Sequence, residues 1–316
     1  MAHHQHFHAQ VEKETQGPLS LCQQINAATR EGHDKINVMI MSRLSLGLRD
    51  YKLYREGILS FAQVYKAFED AWIAAISPEA TTEPRIKSAL QNLYSLPLLR
   101  TPQLVKDLEY FSDQRAHRLT QPMWPARAEY VLRIKRVLSQ KPHLVIAYAH
   151  NYYMALFAGG KILKYQISQA KGFFPRRGGM TEEECKDAGT NLFSFEVPKG
   201  KEDLLRSGFK DALADIQSTL TVEEKTGQSL SPAPSLSEVL LKFGKEIIQE
   251  SRAIFGNNEM LILELDRFCA AMAPPPRDTG ILTIGEDREL AFVRTHKLEI
   301  LFVMVFCYAA VKLFFF

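Results

Sequence analysis

Two adjacent glycines, Gly159 and Gly160, lie in the middle of a long apolar segment, residues 144–166. Apolar side chains recur through this segment at the three- and four-residue spacing of a helix that faces a core. Each glycine in a helix interior costs about 1 kcal/mol relative to alanine, so an adjacent pair needs a physical reason. The missing side chains either let another helix pack closely or let a flat, rigid ligand lie against bare backbone. Periodicity favours the packing explanation and leaves the ligand explanation open.

Further segments of the chain also show helical periodicity, and none shows strand-like alternation beyond a few residues. The clearest covers residues 50–76, where large side chains from Tyr54 to Trp72 recur on one face. The others cover residues 19–37, 83–95, 102–116, 126–139, 202–220 and 236–271. Thr181, followed by three glutamates, predicts a further helix start with a capping threonine and an acidic first turn. Because no internal repeat accompanies them, the pattern predicts one all-α domain.

The composition of the 316-residue chain is that of a globular protein, with 46% hydrophobic and 24% charged residues. A formal net charge of +3 is too small to indicate a nucleic-acid partner. The four cysteines, Cys22, Cys185, Cys269 and Cys307, are scattered and form no C-x-x-C pair. This distribution is typical of a reducing compartment and predicts neither a disulfide framework nor a zinc site.

The two ends of the chain differ from its middle. Residues 1–17 are polar, carry four closely spaced histidines and lack the apolar run of a secretory signal. These histidines are able to hold a metal weakly, but we expect a disordered, solvated tail or a cloning remnant. Residues 298–316 are nearly all apolar, and about 17 residues counted from Ile300 reach the lower limit for a membrane-spanning helix.

The apolar C-terminal segment has the flanks of a membrane anchor. Arg294, His296 and Lys297 precede it, as expected on the cytosolic side, and Lys312 can snorkel at the far end. A buried core helix is the alternative. The predicted organisation is a tail at residues 1–17, a helical domain at 18–272, a linker at 273–297 and a transmembrane helix at 298–316.

The glycine segment resembles the distal helix of heme oxygenases. The matching positions are Leu144, Val145, Ala147, Tyr153, Phe157, Gly159, Gly160, Leu163 and Lys164. A second match is the A-T-x-x-x-H motif of that family's first helix, formed here by Ala28, Thr29 and His33. The resemblance is closest to the fungal, tail-anchored branch and covers residues 18–272. It implies a heme oxygenase-like multi-helical domain.

The resemblance also implies roles for individual residues. His33 corresponds to the histidine that ligates heme iron, although a lone histidine at such a position is more often structural. Gly159 and Gly160 would lie across one heme face, with Thr29 and Tyr153 beside the pocket. The heme propionates would meet Arg30 and Arg206. The alternative explanation is that both are ordinary solvated charges on the surface of a helix. His150 is an alternative iron ligand.

The chain departs from the family at the positions that handle protons. Leu156 replaces the aspartate that organises proton delivery beside the heme, Tyr152 replaces an arginine, and Phe61 occupies a position that is often tyrosine. These changes remove the family's polar network as a set. Tyr152, Tyr153 or His150 are the residues that could rebuild it.

The function implied by the resemblance is oxidative opening of heme to biliverdin, iron and carbon monoxide with O₂, in the setting of iron recovery. Electrons would come from NADPH through a membrane-bound cytochrome P450 reductase, and the protein would face the cytosol from the endoplasmic reticulum membrane. The absence of the aspartate keeps two alternatives open. These are a heme-dependent peroxidase on the same fold and a non-catalytic heme-binding or heme-sensing protein.

Overall fold

The computed structural model describes residues 19–112, 123–198, 200–221 and 236–272, and these residues contain α-helices, short 3₁₀ turns and no strand. The all-α prediction is therefore confirmed for this part of the chain. The helices are α1 (Leu21–Gly47), α2 (Tyr51–Ile76), α3 (Pro84–Leu93), α4 (Thr101–Phe111), α5 (Pro125–Gln140), α6 (Val145–Ser168), α7 (Glu182–Ala188), α8 (Glu202–Thr221) and α9 (Leu236–Met272).

Helix α2 lies at the centre of the core, and its predicted apolar stripe is the buried face. Phe68 and Trp72 are fully buried, and the Trp72 Nε1–H donates to the Leu90 carbonyl oxygen on α3 at 3.1 Å. The helix begins after Asp50, whose carboxylate accepts the Lys52 backbone N–H at 2.8 Å and so satisfies one of the orphan donors of the first turn. Helices α3, α4 and α5 pack around α2.

Helix α9 runs along α1, α5 and α6 and holds the last two through buried carboxylates. Glu250 pairs with both terminal nitrogens of Arg133 on α5 and accepts the Tyr148 hydroxyl of α6 at 2.7 Å. Glu264 accepts the Ala126 backbone N–H at 2.7 Å and thereby caps the start of α5. These bonds fix the position of α6 relative to α9.

Two predicted helix ends were wrong. Helix α1 ends at Gly47 rather than near residue 37, because Met41 is buried and Arg43 pairs with Asp266 of α9 at 2.7 Å, which holds the extra turns in place. Helix α4 ends at Phe111 rather than at residue 116. The predicted start of α7 is confirmed: Thr181 and Glu184 form a reciprocal capping box.

The predicted tail, linker and anchor, residues 1–17, 273–297 and 298–316, lie outside the described residues. Among the helices that are described, none combines the length and the apolar character needed to span a bilayer.

Candidate functional site

His33 lies on α1 where that helix meets α9. Its ring contacts Phe255 edge-on, with ring centroids 6.2 Å apart, and 29% of its side chain is exposed. One residue earlier, a Cβ on Gly32 would stand only 2.9 Å from the Phe255 Cβ, so the glycine allows the close approach of the two helices. The imidazole of His33 is thus held beside α9 and remains accessible.

A cavity of about 370 Å³ lies between α1 and α9 next to His33. Its lining includes Thr29, Gly32, Ile36, Arg252, Phe255 and Glu259, while His33 itself stands outside it. This volume is within the usual range for a small-molecule pocket. The Thr29 hydroxyl is buried and donates to the Ile25 carbonyl oxygen at 2.8 Å, so it is committed to the α1 backbone.

Tyr152 approaches α9 from the other side. It is buried on α6, and its hydroxyl donates to Asn258 Oδ1 at 2.7 Å and lies 3.2 Å from the Tyr130 hydroxyl of α5. Burial raises the pKa of Tyr152 far above neutral pH, so the phenol keeps its proton. Asn258 follows Phe255 by three residues on α9, which brings His33 and Tyr152 to adjacent faces of one turn of that helix.

The two glycines of α6 have different surroundings. An added Cβ on Gly159 would meet no heavy atom within 4 Å, whereas one on Gly160 would lie 3.7 Å from Phe193 and 3.9 Å from Leu156. These contacts are of ordinary length, so packing requires a glycine at neither position. Gly160 lies against Phe193, and Gly159 leaves bare backbone on an open face. Tyr152, Leu156 and Gly159 follow the four- and three-residue spacing that places them on one stripe of the helix.

Tyr153 faces the core at a different angle around α6. It is fully buried, and its hydroxyl donates to Glu69 Oε1 at 2.8 Å. Glu69 also accepts the backbone N–H groups of Arg100 and Thr101, at 2.7 and 2.9 Å. The structure gives Tyr153 a part in anchoring α6, with its hydroxyl turned toward α2 and away from the Gly159 stripe.

His150 also lies away from that stripe. Nine residues separate it from Gly159, which places the two on opposite sides of the helix. His150 is 2% exposed, its Nδ1 atom has no partner among the described residues, and burial lowers its pKa to about 4. It is a neutral core histidine at pH 7.

Cations lie near the start of α1. Arg206 on α8 is half-buried, and Lys210 follows one turn later. The pKa of Lys210 lies below its ordinary value, because burial and the charge of Arg206 outweigh the opposite effect of the nearby Cys22 on α1. Arg30 is exposed on α1. Both helices thus carry positive charge.

Three residues of the site were missed from sequence. Phe61, which stands at a position that is often tyrosine in the family, is half-buried against the core. Tyr65, one turn later, contacts Tyr152, with ring centroids 5.1 Å apart and its hydroxyl donating to the Tyr152 carbonyl oxygen at 3.5 Å. Tyr130 and Asn258 come from distant helices, and only the presence of an asparagine within an apolar stripe of α9 pointed to the latter.

Comparisons with known proteins place these residues in a family. A sequence model described as heme oxygenase matches residues 19–229. Heme-binding protein HMX1 of Saccharomyces cerevisiae is 27% identical over 186 residues, which are 56% of this chain and 58% of the yeast protein. The chain therefore spans less than two thirds of that relative's length. The resemblance predicted from the glycine pair and His33 is confirmed.

Solved structures share the fold at lower identity. Heme oxygenase 2 from Chlamydomonas reinhardtii, solved without heme, aligns with a TM-score of 0.60 and 19% identity over 78% of this chain and 98% of that chain. Heme oxygenase-2 from Synechocystis, solved with heme and NO, aligns with a TM-score of 0.57 and 22% identity over 81% and 89%. These alignments support the helical architecture of the described residues.

The burial of His150 leads to a pH prediction. The unfolded chain titrates near 6.5 and the folded protein near 4, so only the unfolded state takes up a proton between these values. We expect the wild type to lose up to about 3 kcal/mol of unfolding free energy as the pH falls through this window, and His150→Leu to lose that much less. Urea unfolding of both proteins from pH 4 to 7 measures it. Equal losses would contradict a neutral buried His150.

Proposed function

The chain belongs to the heme oxygenase family, and from this premise we propose that it binds heme against the open face of α6 and opens the porphyrin to biliverdin, iron and carbon monoxide. The observation that carries the proposal is the unequal environment of the glycine pair. Gly160 packs, while Gly159 presents bare backbone to open space on a helix that is otherwise well anchored. A flat ligand fits such a face because no side chain keeps it at a distance.

Residues on α1 and α8 have the chemistry that heme needs. His33 offers an accessible imidazole, the usual protein ligand of heme iron, and Phe255 supports its ring. Arg206 and Lys210, with Arg30 on α1, would meet the two propionates. When bound, heme would supply an iron centre. O₂ would bind to that iron, and a reductase would provide the electrons. Burial of His150 on the opposite side of α6 favours His33 as the ligand.

Tyr152 is the polar side chain on this stripe, but it is a poor proton source. Its hydroxyl stays protonated and donates its one proton to Asn258. Leu156, on the same stripe, contributes no carboxylate. We therefore propose slow ring opening. The apolar Leu156 also favours one second candidate, a heme-dependent peroxidase on the same fold.

Electron supply and location complete the proposal. NADPH would act through a reductase of the cytochrome P450 reductase type, and residues 298–316 would anchor the chain in the endoplasmic reticulum membrane with the helical domain in the cytosol. The support is the length of the apolar C-terminal segment and its basic flank.

The iron ligand is tested by substitution. His33→Ala removes the accessible imidazole from a partly exposed position, so we expect the fold to persist and the histidine-ligated heme spectrum to be lost. His150→Ala is the matched control and should keep that spectrum. Heme titration followed by absorbance measures both. An unchanged spectrum in His33→Ala would remove His33 as the ligand and raise His150 in its place.

The reaction is tested by product yield. Purified protein, heme, NADPH and a cytochrome P450 reductase are combined with catalase, and biliverdin per heme is measured. We expect slow biliverdin formation by the wild type and a higher yield from Leu156→Asp, although a partly buried carboxylate can remain protonated. In a second assay without catalase, peroxide-dependent oxidation of an added substrate with no biliverdin would support the peroxidase instead. If neither activity is observed, the protein would be a non-catalytic heme binder. Fast, complete conversion by the wild type would contradict the role given to Leu156.

The anchor is tested by extraction. Full-length protein should stay with membranes in alkaline carbonate, whereas a chain that ends at Lys297 should be released, because only the former contains the apolar segment. Release of the full-length chain would show that residues 298–316 are no anchor.

A further inference from the structure

The open half of α6 rests on a short segment that we call the platform, residues 190–195, which includes the 3₁₀ turn Asn191–Phe193. Phe193 lies under Gly160, and the ring of Phe195 stacks on that of Phe157 of α6, with centroids 4.9 Å apart. The Lys164 ammonium of α6 donates to Ser194 Oγ at 2.9 Å. The platform therefore contacts α6 on both sides of the glycine pair.

Asp107 of α4 holds the platform from behind. Its Oδ1 accepts the Asn191 backbone N–H at 2.7 Å and the Asn191 amide at 2.9 Å, and its Oδ2 accepts the Leu192 backbone N–H at 2.8 Å. The carboxylate is fully buried, with Tyr54 of α2 and Lys164 of α6 close enough to interact electrostatically. Burial raises the pKa of Asp107 to about 6. Because the carboxylate is still charged at neutral pH, it lowers the free energy of unfolding there.

Arg100, the residue that precedes α4, holds the other end. Its side chain is fully buried and donates to the carbonyl oxygens of Ser194 at 2.7 Å and Leu192 at 3.3 Å, as well as to those of Pro97 and Leu98. The guanidinium also lies 4.2 Å over the ring of Phe195. A buried guanidinium is expensive unless its donors are satisfied, and here most of them are used to fix loop carbonyls.

The same corner is tied to α6 by a second route. The Arg100 backbone N–H donates to Glu69, the carboxylate that also accepts the Tyr153 hydroxyl of α6. The start of α4 is thus connected to α6 both before the glycine pair, through Tyr153, and after it, through the platform. Three charged side chains, Arg100, Asp107 and Glu69, are buried at this corner. Apolar residues would pack there without the cost of desolvating charges, so packing alone does not account for them.

We propose that Arg100 and Asp107 are positioning residues for the ligand site, which set the location of the Gly159 backbone through the platform. They do not touch the ligand face themselves. They hold Phe193, Ser194 and Phe195, and these residues support the less buried half of α6. The identity of the ligand rests on the proposed function, whereas the mechanical coupling rests on the contacts alone.

The coupling is tested by amide hydrogen exchange on the full chain without heme. Asp107→Asn keeps one acceptor oxygen but turns an NH₂ group toward the Leu192 N–H. Arg100→Lys keeps the positive charge but loses the planar guanidinium that donates to several carbonyl oxygens at once. We expect exchange in residues 157–164 to rise about tenfold in each, the factor for one lost buried hydrogen bond, with α2 and α5 unchanged. Asp50→Asn, the same change at an exposed helix cap, is the matched control and should leave residues 157–164 at wild-type rates. Unchanged exchange at residues 157–164 in both variants would overturn the proposal.

A second measurement reports on the ligand side. Carbon monoxide dissociation from the ferrous heme complex should change several-fold in Asp107→Asn while the histidine-ligated spectrum is kept. If either polar variant fails to fold, Phe195→Leu serves instead, because it keeps an apolar side chain and removes only the stack between Phe157 and Arg100. Equal dissociation rates in a folded variant would overturn the effect on the site. Since exchange is measured without heme, a chain that binds no heme would refute the proposed function and still test the coupling.

Discussion

Three buried phenols hold α6 to the rest of the fold. Tyr148 donates to Glu250, Tyr152 to Asn258 and Tyr153 to Glu69, each at 2.7 to 2.8 Å. Leaving such a buried hydroxyl without a partner costs about 1–3 kcal/mol, so these bonds define which way the first half of the helix faces. With that half fixed, the second half can expose backbone at Gly159 without losing its place. The rest of the site depends on this division between an anchored and an open half.

Residues that serve the open half of α6 lower the stability of the fold. Gly159 lowers helix stability where no packing requires a glycine, and Asp107 keeps a carboxylate in the core against the effect of burial on its pKa. Both residues serve the open half of α6, one by leaving it bare and the other by holding the segment beneath it. Such local departures from the most stable choice are typical of functional sites. Helix α9 joins the two sides, since His33 meets it at Phe255 and Tyr152 meets it at Asn258.

Sequence patterns predicted the elements well and their partners poorly. The stripe on α2 and the capping box of α7 follow from local periodicity and side-chain chemistry, and both are present. The family followed from two motifs and is confirmed. The extension of α1 depends on the bond from Arg43 to Asp266, two residues that lie far apart in the chain, which no local pattern reveals.

The candidate site shows the same limit. The resemblance pointed to Phe61 as the family position that is often tyrosine, whereas the tyrosine that contacts Tyr152 is Tyr65, one turn later. The two differ by four residues on the same face of α2, so periodicity cannot separate them. Asn258 and Tyr130 were out of reach for a further reason. Which faces of α5, α6 and α9 meet is decided by the packing of the whole domain.

Gly159→Leu puts a side chain on the open face that is proposed to receive the ligand. An added Cβ at this position meets no heavy atom within 4 Å, and leucine improves helix propensity by about 0.5–1 kcal/mol, so unfolding should require at least as much denaturant as in the wild type. Heme titration should nevertheless show a large loss of affinity, while Gly208→Leu, at an equally open glycine on the side of α8 away from Arg206, should bind as the wild type does. If a stable Gly159→Leu variant binds heme with unchanged affinity and spectrum, the ligand does not lie against the Gly159 face.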